Sequence, residues 1–468
     1  MATKTGVRDY PHHMKRVLQA FRGSQLTARI LRSTSWVVIG FGGAQAIRLG
    51  SNLILTRLLF PEAFGIMALV TMVTVGLMMF SDVGIGPALS RSERGDEPAF
   101  LNTAWTIQVL RGTGLWVVTL IFAYPFAQLY EHPELALYLP VAGLSLIASG
   151  LLPTRMELAR RHLQMGRVTI LDLTSQLVGL GIMVLLAFWW QSVFALVVGG
   201  VITNLLKTIV MWAFLPGHRD RFQVEKPALQ ELVQFGKWIF LSTAFSFVST
   251  QGDKAVLGKL LSLETLGIYN IGFFLASFPM MLGQAVVQDL MIPIYRNRPP
   301  DASEANRRKL RQMRMMITLG LAALLLIMAY AGPPLVAFLY DDRYAQAGPV
   351  IVLLSCCFLP RAIGMTYDQA ALAAGNSRGA FAYAGARSIM QMLLLILGLT
   401  WFGLIGGIVS IGLALMVVHP ILIGLGLRHR VWDPLHDGLA FGLGGILAAG
   451  AVWLHWDVVA TLAAVPLN

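Results

Sequence analysis

"LTRLLFPEAFGIMAL", Leu55–Leu69, returns 202 residues later as "LGKLLSLETLGIYNI", Leu257–Ile271. Leu58, Leu59, Glu62, Gly65 and Ile66 match Leu260, Leu261, Glu264, Gly267 and Ile268, and Arg57 is answered by Lys259. Each copy ends an apolar run on a cation, where a helix dipole favours one. It then opens the next run on Pro or Ser with Glu in the first turn. The stretch reads as hairpin punctuation rather than as a binding site, and its glycine permits close helix approach. Its value is architectural, because an internal repeat decides the fold before any local reading does.

The runs that the motif punctuates are membrane spans. Of 468 residues, 56% are apolar and 13% charged, about half the charge of a soluble domain at roughly 25%. Apolar runs of about 20 residues recur, the length that crosses a ~30 Å hydrocarbon core. The short alternating segments of a β-barrel are missing. Spans are expected near 33–58, 62–88, 101–128, 135–154, 168–190 and 193–215. A second set follows near 234–260, 264–294, 315–339, 346–374, 380–401 and 403–427. A further apolar stretch runs from Gly438 to His455, and the tail Val458–Leu467 is too short to cross.

Charge sets the orientation. With the N-terminus in the cytoplasm, the inner segments hold 26 of the 36 Lys and Arg, the bias that defines the inside face. This explains the net charge of +12 better than nucleic-acid binding would. Residues 1–32 carry seven Lys and Arg and run into a retained span, not a cleaved leader. Cys356 and Cys357 are adjacent in an apolar run, so no disulfide framework or metal site is expected.

Six spans separate the two copies of the motif. An even number keeps the copies parallel, related by an axis along the membrane normal. The expected fold is an all-α polytopic membrane protein of two parallel, pseudo-symmetric six-helix bundles, with one or two extra C-terminal segments. The divisions are a basic cytoplasmic segment 1–32, a first lobe 33–215, a linker 216–233, a second lobe 234–430 and a C-terminal hydrophobic segment 431–468. Two such lobes create a cleft, which is a transporter's geometry.

Ionisable residues inside spans are costly and usually face a cavity or a partner. Gln45, Arg48 and Asn52 share a face of the first span. Ser246, Ser249, Thr250 and Asp253 share one on the seventh. Asn204 and Lys207 share a face of the sixth, and Arg361 and Asp368 lie two turns apart on the tenth. Arg48, Arg111 and Arg361 fall near mid-span. Lys254 follows Asp253 directly, so the two cannot pair, and each has a ligand contact or an interlobe ion pair open to it. Asp82 and Asp289 lie near inner helix ends, either wet or paired with basic loops, with ion coupling as the alternative. Arg387 is close enough to a helix end to snorkel. His419, beside Pro420, reads as a packed or interfacial residue. Counting six deep bases (Arg48, Arg111, Lys207, Lys254, Arg361, Arg387) and four acids (Asp82, Asp253, Asp289, Asp368) leaves an excess of two positive charges. A cation-rich cavity selects anions, and the guanidinium fork suits phosphate. No nucleotide-binding motif or cofactor site is present in the sequence.

The stretches "ILTRLLFPEAFGIMALV" (Ile54–Val70), "FSDVGIGPALSRSE" (Phe80–Glu93), "QGDKAVLGKLLSLETLGIYNIGF" (Gln251–Phe273) and "QAALAAGNSRGAFAYAGARS" (Gln369–Ser388) carry a likeness in this order. Across nearly all of residues 30–428 the chain resembles the polysaccharide transporter family. These are the Wzx-type flippases of lipid-linked oligosaccharides, in the superfamily that also holds MATE exporters and MurJ. The resemblance implies a V-shaped pair of lobes in the bacterial inner membrane. It implies alternating-access movement of an undecaprenyl-pyrophosphate-linked sugar repeat, alongside polymerase and export machinery. Cationic residues would hold the pyrophosphate and acidic ones would couple an ion. From the family pattern come Asp253, Lys254 and the segment Ser81–Gly86. Arg48, Arg111 and Arg361 come from the spans alone. The rival readings are MurJ-like lipid II transport, a MATE-type exporter, which would want acids in its cavity, and a membrane glycan polymerase or ligase. The outer loops are too short for such an enzyme, apart from the "DDRYAQAG" turn at Asp341.

Overall fold

The computed structural model of the chain describes residues 26–82, 84–297, 303–374 and 376–467, and among them every regular element is helical. The first half holds α1 (Leu26–Leu58), α2 (Pro61–Phe80), α3 (Ile85–Arg91), α4 (Pro98–Tyr130), α5 (Leu135–Gly150), α6 (Arg155–Arg161), α7 (Met165–Trp190) and α8 (Val193–Phe214). The second holds α9 (Lys226–Leu260), α10 (Leu263–Asn297), α11 (Glu304–Leu339), α12 (Ala347–Cys357), α13 (Leu359–Ala373) and α14 (Ser377–Arg428), and then α15 (Pro434–Leu454) and α16 (Trp456–Ala460).

Nine described helices are long and apolar enough to cross a bilayer, and up to eleven spans result if each bent pair is one span. The bent pairs are α5 with α6, at 56°, and the Asp342–Cys357 stretch with α13, at 41°. The helix α14 has 52 residues, or about 78 Å at 1.5 Å per residue, more than twice a ~30 Å core. Gly403 breaks it with φ 61° and ψ −152°, a region open only to glycine. The chain folds back there, since a Cβ on Gly398 would sit 2.3 Å from the Gly406 carbonyl oxygen and one on Gly406 would sit 2.2 Å from that of Gly398. Two spans therefore occupy α14, as the expected 380–401 and 403–427 require. The seventh span, α9, is not one of the nine; its apolar stretch is interrupted by Ser246, Ser249, Thr250, Asp253 and Lys254.

Other boundaries differ from the hydropathy reading. The second span covers Pro61–Leu89, close to the expected 62–88, but its first helix α2 ends at Phe80, where Ser81 Oγ donates back to the Leu77 carbonyl at 2.7 Å and Asp82 Oδ1 accepts the Gly84 N–H at 2.8 Å. Such local side-chain bonds compete with the helix ladder. The helix α9 begins at Lys226 rather than near 234, with Pro in its first turn, which shortens the connection between halves to 215–225. Hydropathy is blind to helix that continues past the bilayer, so α10 and α11 also run longer than expected.

The packing repeats itself. In the first half α1 packs on α7, α4 on α5, α5 on α8 and α2 on α5; in the second α9 packs on α14, α11 on α12, α12 on α14 and α10 on α12. The fourth span of each half is the broken one. The two copies of the opening motif meet each other where α2 crosses α10. A Cβ on Gly65 would lie 2.1 Å from the Leu263 carbonyl oxygen, and one on Gly267 would lie 1.9 Å from that of Pro61. Each glycine sits on the first turn of the opposite helix, so backbones touch where any side chain would keep them apart. The repeat exists because the chain crosses itself at a two-fold axis.

Beyond this crossing, the end of the molecule carrying the two hairpin corners is closed. Arg343, in the turn after α11, donates to the carbonyls of Thr56 (3.0 Å) and Leu59 (3.4 Å) at the end of α1 and is held by Asp341. Tyr344 O–H also donates to Leu59, and its ring meets Phe64 edge-on. Tyr130 O–H donates to the Ala255 carbonyl, and Lys259 pairs with Glu131. At the opposite end the connection 215–225 is fastened along α4. Asn102, Thr103 and Thr106 bond the backbone and side chains of Arg221, Gln223 and Glu225, and Arg94 pairs with Glu225. Between the ends the halves differ. The helix α9 packs closely along α2, whereas its symmetry partner α1 meets α10 more loosely, through side chains such as Gln45 and Arg48.

Candidate functional site: a polar strip through the first half

Arg48 projects from α1 toward the second half, its guanidinium 4.8 Å from the centroid of Phe274 on α10. One turn earlier, buried Gln45 reaches Met281 of α10 at 3.6 Å, and its carbonyl oxygen has no partner. Both residues line a cavity of about 320 Å³ with Ser51, Gln176 and Thr203. Among the described residues no carboxylate pairs with Arg48. Asn52, one turn further along α1, is half-buried.

Arg111 opens on a second cavity, of about 350 Å³, between α2, α4, α5 and α8. Gln108, Ser149, Asn204 and Lys207 share it, which brings three of the sequence-derived residues together. Arg111 is tied down: Nε donates to Ser81 Oγ at 2.9 Å and Nη2 to the Met78 carbonyl at 3.1 Å, while Asp82 stands 3.8 Å away. Asp82 itself is half-exposed, and its Oδ1 also accepts the Gly84 N–H.

The two cavities are joined by side chains. Gln176, in the wall of the first, donates to Asp172 Oδ2 at 2.9 Å; Asp172 Oδ1 pairs at 2.6 Å with Lys207, in the wall of the second. Asp172 is absent from the sequence-derived acids, and it lowers the expected excess of deep positive charge from two to one. Its position seven residues into the α7 helix was legible, but nothing in the sequence says that it faces Lys207.

The second half treats its charges differently. Arg361 pairs with Asp368, and Tyr383 and half-buried Arg387 lie within electrostatic reach of the pair. Buried Asp253 accepts from Tyr269 O–H at 2.7 Å, while Lys254 turns away to lie 4.8 Å from the Phe273 ring and donates to Gln251 at 3.3 Å. The two are not paired, as their spacing requires. The side chain of Asp289 lies outside the described residues. No group of three or more His, Cys, Asp or Glu that could hold a metal is present among the described residues. Sequence reasoning also missed a second buried cluster, around Asp437, with His419 and His436 in contact with one carboxylate.

Comparison with known proteins places this architecture. The chain is 20% identical over 309 residues to the teichuronic acid biosynthesis protein TuaB of Bacillus subtilis, covering 66% of this chain and 64% of that one. It is 24% identical over 335 residues to the succinoglycan biosynthesis transport protein ExoT of Rhizobium meliloti, covering 70% and 65%. The chain thus spans just under two thirds of the length of each. Among solved structures it is similar to the lipid II flippase MurJ in an inward closed conformation, at 12% identity and TM-score 0.65, over 91% of this chain and all of that one. A MATE transporter of Vibrio cholerae matches at 14% identity and TM-score 0.61, over 87% and 98%. These likenesses show the fold shared by the MATE transporters and MurJ. The model of the family described as polysaccharide biosynthesis protein matches residues 54–349, more than half of the chain, from the first copy of the opening motif through the second. This multi-pass membrane protein belongs to the polysaccharide biosynthesis protein family.

Proposed function

We propose that the protein is a flippase that moves a lipid-linked oligosaccharide, its sugars joined through a pyrophosphate to undecaprenol, from the inner to the outer leaflet of the bacterial inner membrane. The observation that carries this reading is the strip Arg48–Gln176–Asp172–Lys207–Arg111, a chain of polar side chains and two cavities running through the first half. Sugar hydroxyls cannot enter hydrocarbon without losing their hydrogen bonds. Gln45, Ser51, Gln108, Ser149, Thr203 and Asn204 offer replacements, and Arg48 and Arg111 offer cations for the phosphates. The names of ExoT, a transport protein, and MurJ, a flippase, agree with transport rather than with an enzyme's chemistry.

In this reading the N-terminus is cytoplasmic, the closed corner end faces outward, and the lipid tail stays in the bilayer beside the looser contact of α1 with α10. Substrate binding falls to Arg48, Asn52, Arg111, Asn204, Lys207, Lys254 and Arg361. Ion coupling falls to Asp82, Asp253, Asp289 and Asp368. The polysaccharide polymerase and export machinery are the partners downstream.

The test is a deletion strain whose lipid-linked intermediates are extracted and assigned to a leaflet. Loss of surface polysaccharide with completed repeat units on the inner leaflet supports the reading. Repeat units that reach the outer leaflet unjoined overturn it in favour of a polymerase or ligase. At equal protein level, Arg48→Ala and Arg111→Ala should each lower export about ten-fold or more, the loss expected when a charge-assisted phosphate contact of ~1.5–3 kcal/mol is removed. Unchanged export in both removes the anion strip from the mechanism.

A further inference from the structure

Asp437, in the first turn of α15, has both oxygens committed. Oδ1 accepts from Tyr367 O–H at 2.8 Å and meets His436 Nδ1 at 2.9 Å; Oδ2 meets His419 Nε2 at 3.0 Å and accepts from Trp432 Nε1–H at 2.9 Å. Beyond His436, Nε2 faces Thr318 Oγ1 of α11 at 2.9 Å. His436 and Thr318 are fully buried, and His419 and Asp437 nearly so. This carboxylate joins α11, α13, α14 and α15 at a single point.

The charges around it are balanced. The element α11 contributes Arg311, paired with Asp433, and Arg314, which donates to the Val431 carbonyl and the Tyr295 hydroxyl and lies 4.2 Å from the Tyr367 ring. The element α13 contributes Tyr367, with Asp368 turned away to Arg361; α12 contributes only Cys356, against Ala448; α16 meets α15 at its far end, where His455 bonds Tyr330. With neutral imidazoles, two aspartates offset two arginines. The two rings are the groups of the cluster that can take up a proton and become cationic.

We propose that His419, Asp437 and His436 form a binding site for one proton, which clamps α15 to the second half. A proton from the aqueous phase adds to one imidazole and takes the cluster from zero to one positive charge. The carboxylate stays ionised between the rings and its contact becomes charge-assisted. When the proton is on His436, Nε2–H donates to Thr318, whose hydroxyl is free to turn to the carbonyl one turn back, as helical threonines do. A second proton is opposed by the first and by Arg314. The site goes beyond the flippase reading and does not depend on it.

Trp432 touches the carboxylate and reports on it. The experiment is a fluorescence titration of the purified full-length chain in nanodiscs, with the Trp432→Phe trace subtracted from the wild-type trace. The expected result is a one-proton transition in the difference trace. It should be lost, or moved by about one pH unit or more, in His419→Gln and in His436→Gln. A flat difference trace, or a transition unmoved in both variants, overturns the proposal. Should either variant fail to fold, ring-carbon shifts of ¹³C-histidine in the wild-type chain decide it. Two of the nine histidines titrating as a coupled pair support the site, and independent titration of all nine overturns it. Neither measurement involves substrate, so the outcome is separate from that of the leaflet assay.

Discussion

At the scale of single residues, the closest steric constraint is the pair Gly65 and Gly267. A Cβ on either would fall about 2 Å from a backbone carbonyl oxygen of the other helix, and backbone cannot swing aside as a flexible side chain can. Gly65→Ala and Gly267→Ala should each destabilise the protein by about 1–3 kcal/mol through overpacking, and by similar amounts, because the sites are symmetry mates. Gly50→Ala on α1, with no atom within 4 Å of the added methyl, is the control. Thermal unfolding of the purified protein reads all three. At Lys207 and Asp172 the expectation concerns order of loss. Lys207→Met alone should lower stability more than Lys207→Met with Asp172→Asn, since a half-buried carboxylate left without its cation costs more than a missing pair.

The same scale shows what the sequence could and could not tell. Arg48, Arg111, Asn204 and Lys207 were legible because polar residues in apolar runs stand out, and helical spacing says which share a face. Their partners were not, because a partner is set by how distant helices pack. Asp172 reads as one more near-end acid until α7 lies against α8. His419 reads as a packed histidine until α15, expected only as a further apolar stretch, brings Asp437 to it.

At the scale of elements, hydropathy and turn chemistry located the spans but not their breaks. The bend between α5 and α6 falls beside Pro153 and the one before α13 beside Pro360, but Pro125 and Pro140 sit inside helices, so a proline alone does not locate a bend. The corner turn Asp341–Tyr344 is an element with one evident task, to hold the end of α1. A hydrogen bond from the Arg343 guanidinium keeps the Asp341 carboxyl below the usual carboxylate range, against a smaller opposing effect of burial. A lowered carboxylate stabilises at pH above its ordinary value and loses that contribution as pH falls through the lowered one. Below about pH 4 the corner end should therefore loosen, and Arg343→Ala should loosen it at every pH. Spin labels on the ends of α1 and α11 would show the distance broadening in both cases. Gly403→Ala should prevent the α14 hairpin from forming and lower the amount of folded protein in the membrane, because alanine does not adopt its φ and ψ.

At the scale of the molecule, the repeat makes the architecture readable from a pencil count of spans. An even number between two like motifs fixes parallel halves, and the packing obeys. What the count does not contain is asymmetry: α9 lies closely along α2 while α1 meets α10 more loosely, through side chains. The proposed transport, if carried out by rigid-body rocking of the halves, gives a whole-molecule prediction. A disulfide between Thr56 and Arg343, each replaced by Cys, should stop export, and reduction should restore it. A disulfide between Thr103 and Glu225, likewise replaced, should leave export unchanged.

The second of those cross-links is silent for a mechanical reason. Stitched to α4 by Asn102, Thr103, Thr106 and Arg94, the stretch 215–225 is not a tether with slack but a bracket bolted to one arm. The first turns of α9 are bolted to the same arm, with Ala228 and Leu232 buried against Ile85, Leu89, Phe100, Leu101 and Ala104. The proposed swing between the arms therefore has to be taken up beyond Leu232, which moves the axle off the root of that helix and into its length.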